Sequence, residues 1–93
     1  MDYLLIQEKD SRQYQLQWYQ GEQPRFYKMT GSSLEELAEK LGNHPDFEEP
    51  ILYSIETLST PTHIFSEVDV FECVGLPVPD ADLKRFRALF DGL

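Results

Sequence analysis

Three places in the chain hold residues whose types and spacing could do chemistry. The first is His44-Pro45-Asp46-Phe47-Glu48-Glu49, where His44, Asp46 and Glu48 alternate. In an extended backbone alternate side chains point the same way, so these three could converge on a cation. A zinc site needs three or four converging nitrogen, sulfur or oxygen ligands, and no second cluster completes this one. The reading that needs no metal is a turn, with Asn43 or Asp46 bonding nearby backbone and Phe47 plugging the core. The second place is Cys73, which with His63 or His44 could form a thiol nucleophile and its base. It lies in the apolar run Val68 to Val74, where a cysteine behaves as a small buried hydrophobe. The third comprises the acid pairs Glu48/Glu49 and Asp80/Asp82, which could exchange protons with a substrate but serve more ordinarily in solvation and helix starts. No phosphate cradle is visible, because Thr30-Gly31-Ser32-Ser33 is short and lacks a following lysine. The sequence therefore implies no metal, no cofactor and no enzyme.

Charge is the stronger signal. The chain has 93 residues with seventeen acids against eight bases, and a formal net charge of −9. From Glu35 to Asp82 there are twelve acids and one base, Lys40, so the imbalance is concentrated in the middle of the chain. Such a field repels nucleic acid and anionic membranes and attracts basic partners. Lys84, Arg85 and Arg87 form a short cationic strip, a weak nucleic-acid footprint on so acidic a chain. The single cysteine excludes an internal disulfide framework, and no apolar run approaches the ~20 residues of a membrane span. With no basic segment leading into a signal-peptide core at the N-terminus, the expectation is a soluble, cytoplasmic protein.

The elements that position these residues follow from periodicity. Gln13 to Tyr19 alternates Tyr14, Leu16 and Trp18 with Gln13, Gln15 and Gln17, the pattern of a half-buried strand. Tyr3 to Gln7 is a contiguous apolar run, which suits a central strand covered on both faces. A four-residue connection, Lys9 to Arg12, with Glu8 opposite Gln13, sets Leu5 against Leu16 and Tyr3 against Trp18. Arg25 to Met29 reads as a third strand, at the edge, after a turn over Gln20 to Pro24. Ser33 is an N-cap with Glu36 at capping-box spacing, opening a helix whose stripe is Leu34, Leu37, Ala38 and Leu41. Gly42 follows where a left-handed C-terminal residue is wanted. Ile51 to Glu56 alternates as a fourth strand. The β-branched run Val68 to Val74 favours a fifth over its competing helical period. Gly75 to Pro79 is extended or turn, and Asp80 caps a last helix over residues 81–91. The order β-β-β-α-β-(β)-α predicts a single α+β domain: a mostly antiparallel sheet of four to five strands with two helices packed on it.

Two surfaces emerge as candidate partner sites. Leu4 and Ile6 fall on the glutamine face of the first hairpin, and with Tyr19 and Phe26 they exceed what one covered face holds. They form either a second core, covered by the last helix, or an open apolar patch. The other surface is acidic, represented by Glu48, Glu49 and Glu67. The function these features imply is binding of another macromolecule: a protein, basic in one reading, or a second copy of the chain. A carboxylate surface that mimics nucleic acid and blocks a basic protein is the alternative, and a small enzyme comes third.

Overall fold

The computed structural model describes residues 2–20, 25–45, 47–56 and 75–91. Three strands open the chain: β1 (Asp2–Glu8), β2 (Tyr14–Gln20) and β3 (Arg25–Gly31). They form an antiparallel meander in the order β3-β2-β1. The expected register is present, with Tyr3 opposite Trp18 and Leu5 opposite Leu16. The Glu8 amide bonds the Gln13 carbonyl at 2.8 Å and closes the four-residue connection. Within that connection Arg12 takes a left-handed backbone (φ 59°), and its carbonyl accepts the Gln7 side-chain amide.

β1 is the central strand, as its contiguous apolar residues require. Its far edge is shared by two three-residue strands, β4 (Ile51–Tyr53) and β5 (Gly75–Pro77). β4 runs parallel to β1 along Asp2 to Leu4, and β5 runs antiparallel along Ile6 to Glu8. Among the described residues the sheet is therefore mixed, with one parallel pair. β5 falls in the proline-bracketed stretch read as extended or turn. Pro77 is tolerated because β5 has only a short ladder to lose. The strand expected over Val68 to Val74 lies outside the described residues.

Among the described residues, two helices cover one face. α1 (Leu34–Gly42) opens as its sequence requires, with the Ser33 hydroxyl accepting the Glu36 amide at 3.2 Å. The returning arm differs from the standard box by one residue. The Glu36 carboxylate takes the Ser32 amide (2.8 Å) and hydroxyl (2.6 Å) rather than the amide of the cap itself. Gly42 is not a left-handed terminator: it is the last helical residue, and Asn43 caps the helix with right-handed backbone. Lys40 bonds Glu36 at 3.3 Å and the Thr30 carbonyl at 2.7 Å, which ties α1 to β3. In α2 (Asp80–Asp91) the cap position likewise shifts by one. The Pro79 carbonyl accepts the first helical bond, from Leu83, so Asp80 is the first residue of the turn and not its cap.

Both helices pack on the face that carries Tyr3, Leu5, Leu16 and Trp18, with Leu34, Leu37, Leu41, Phe86 and Phe90 in one cluster. Full burial of the three α1 leucines contributes about 5–9 kcal/mol before the entropy of ordering is counted. Trp18, 2% exposed, stacks on Tyr27 at 5.4 Å and meets Tyr3 and the His44 ring at 5.5 Å. The opposite face is a second, smaller interior, where Leu4 and Ile6 pack against Tyr53 and Ile55. Gln15 and Gln17 are buried on that side, and the Gln17 amide bonds Gln15, whose own amide bonds Glu8 at 3.1 Å. Among the described residues no helix is long and apolar enough to cross a membrane.

Candidate functional site

The sequence candidates separate once they are placed. Leu4 and Ile6 are 0% exposed, so the open apolar patch does not exist at these positions. Cover by the last helix is also corrected, because α2 lies beside α1 on the other face and Tyr53 and Ile55 pack here instead. Phe26 is placed by its backbone in β3, opposite Tyr19, and its side chain is outside the described part, as is all of Glu67. Glu48 and Glu49 are exposed and follow directly on Phe47.

The His44 loop is a turn. The Phe47 amide bonds the His44 carbonyl at 3.1 Å, so the backbone lacks the extended form that would have aligned alternate side chains. The His44 ring is instead turned edge-on to Trp18 and Tyr27. Phe47 stacks on Phe90 at 5.5 Å and packs against the main core, which is the plugging role its position suggested. Asp46, His63 and Cys73 lie outside the described residues. Among the described residues, no three His, Cys, Asp or Glu side chains group as metal ligands.

What the turn does create is a groove. On α1, Ala38 and Gly42 lie one turn apart, and the small size of both keeps a lane open along the helix. Phe47 from the loop and Leu89 from α2 wall that lane, Glu35 and Glu39 stand on it, and Asn43 closes its end. The groove has a volume of about 470 Å³, within the range of ligand-sized clefts. Ala38 is buried, Phe47 and Leu89 are half-buried, and Glu35 and Glu39 are exposed. The arrangement is an apolar floor under carboxylates. Arg85 of α2 reaches Glu35 at 3.7 Å, so a guanidinium already sits against this lip.

Two other hollows lack that combination. One at the first hairpin is lined by Glu8, Lys9, Asp10 and Ser11, with charges of both signs and no apolar residue. The other, against β4, mixes Asp80 with Lys84 and Arg87. Nearby, the Tyr14 hydroxyl bonds Asp82 at 3.4 Å, and burial, then the Asp82 charge, push its pKa up. Tyr3 is shifted in the same direction, chiefly by burial, with its hydroxyl on the Glu48 carbonyl.

The Glu35/Glu39 pair was visible in the sequence as i,i+4 acids, and Ala38/Gly42 as small residues at the same spacing. Neither marks a groove until Phe47 and Leu89 stand beside them. No family model matches the chain, and neither a curated protein nor a solved structure matches it.

Proposed function

We propose that this protein acts by binding a basic protein, with the carboxylate-lipped groove between α1 and α2 at the centre of the contact. The observation that carries this reading is the coincidence of an apolar floor and two carboxylates, Glu35 and Glu39, lining one cleft. Apolar contact supplies affinity at the centre of an interface, and charge supplies steering and register. The exposed Glu48 and Glu49, next in sequence to Phe47, add further carboxylates to this part of the chain. The chain's net charge of −9 adds a long-range attraction for cationic partners.

Capture from the native lysate tests this, with wild type compared against a Glu35→Lys/Glu39→Lys variant and a Glu48→Lys/Glu49→Lys variant. The expected outcome is a partner retained at low salt, weakened by raised salt, and lost or much reduced with the reversed charges. Equal recovery of the same partner by all three proteins would sink the proposal.

A further inference from the structure

We infer that the groove seats a basic amphipathic helix of the partner, its apolar side chains on the Ala38/Gly42 floor and its lysines or arginines against Glu35 and Glu39. This rests on the reading that the groove is the contact surface, and it commits to the kind of segment that fills it.

Three observations select a helix. First, the floor is a row of helix positions four apart, and rows of that spacing accept the matching row of a second helix at interaxial distances of about 8–10 Å. Small residues there allow close approach, while Phe47 and Leu89 line the same groove and give the incoming side chains something to touch. Second, Glu35 and Glu39 share the same spacing, a rise of about 6 Å along α1. Cations four apart on a partner helix have that rise too, so both pairs form together and not one at the expense of the other. Third, among its described lining residues the groove has no strand edge. An extended segment laid there would find no ladder for its backbone N–H and C=O groups, whereas a helix satisfies its own. Arg85 against Glu35 shows that the lip holds a guanidinium, and an incoming cation must displace or share with it. A second copy of this chain is disfavoured as occupant because each copy brings −9.

The test uses the full chain and a fluorescent helical peptide of about five turns. The peptide carries two leucines four apart on one face and lysines four apart beside them. Three control peptides replace the leucines by serine, the lysines by glutamine, or a central residue by proline. Anisotropy at low salt should show saturable binding of the parent peptide and at least about tenfold weaker binding of each control. Gly42→Leu is the decisive variant. It fills the floor from an exposed helical position, and leucine is a better helix former than glycine, so the melting temperature stays level or rises. Binding should nevertheless fall at least about tenfold. Arg85→Ala should strengthen binding, by up to about fivefold, by freeing the lip from a surface ion pair.

Unchanged binding to the Gly42→Leu variant, or equal binding of the proline or serine peptide, overturns the helix-in-groove assignment. A dimer in sedimentation that Gly42→Leu dissolves also overturns it, by making a second copy the occupant. If the peptides fail while native capture still depends on Glu35 and Glu39, this inference falls and the proposed function stands. If native capture ignores those acids, the proposed function falls whatever the peptide does.

Discussion

Replacing Trp18 with alanine removes the tryptophan of the main core. The side chain is buried between Tyr3, Tyr27 and His44, with ring centroids 5.4–5.5 Å away. An aromatic of this kind buries about 150–250 Å², which at about 25 cal/mol/Å² corresponds to about 4–6 kcal/mol. Alanine retains part of that area and the neighbours relax in part, so about 3–5 kcal/mol is the expected cost. A 93-residue domain has about 5–14 kcal/mol of stability in total, so this loss consumes much of the margin. Urea denaturation should be followed by far-ultraviolet circular dichroism, because Trp18 is the only tryptophan and its fluorescence disappears with the mutation. Trp18→Phe keeps a ring against Tyr27 and should fall between wild type and alanine, which preserves a measurable transition if the alanine variant is too weak to fold. A double-mutant cycle with Tyr27→Leu should return about 0.5–1.5 kcal/mol of coupling for the stacked pair. A cost below about 1 kcal/mol for Trp18→Ala would refute the placement of this side chain at the core.

Three further predictions concern the sheet edge and the titrating groups. Gly75→Ala should cost about 1–3 kcal/mol, because a Cβ there would stand 2.5 Å from the Gln7 carbonyl oxygen; a thermal melt unchanged from wild type would show that β5 can shift away freely. The Glu36 pKa is lowered from 4.5 to about 2, first by the Ser32 hydroxyl and then by the Ser32 amide and Lys40. Its folded value lies below its unfolded one, so the stability it contributes is present above about 4.5 and lost as pH falls toward about 2. Glu36→Gln should flatten that acid limb of a stability–pH curve, and an identical limb in the variant would contradict the assignment. Tyr3 and Tyr14 are shifted up from 10.0 by burial, so the stability their neutral phenols contribute persists below that pH and is lost as pH rises past it. Phenolate absorbance should show both titrating later than an exposed tyrosine, with Tyr3→Phe and Tyr14→Phe each removing one late step.

Local pattern carried much of this fold. The alternation of Gln13 to Tyr19 and the four-residue link before it suffice to place Leu5 opposite Leu16, since a one-residue slip would turn every side chain of one strand to the wrong face. The contiguous apolar run of β1 marked it as central, and the Ser33/Glu36 spacing with the Leu34, Leu37, Ala38, Leu41 stripe located α1. These features depend on residues near one another in the chain, and periodicity records them directly. Tertiary structure decided the rest. The alternation from Ile51 to Glu56 announced a strand, which ends at Tyr53, but nothing in it or in Gly75–Pro77 announces that both share one edge of β1 in opposite senses. The apolar stripe of α2 shows that it must be covered but not by what, and only packing set it beside α1. That choice left Leu4 and Ile6 to a different cover, so of their two expected places they take the second core, closed by Tyr53 and Ile55 and not by the last helix. The groove is the clearest case. Ala38 and Gly42 look like a filler and a terminator on their own helix, and they become the floor of a cleft only because Phe47 and Leu89, distant in sequence, are brought beside them.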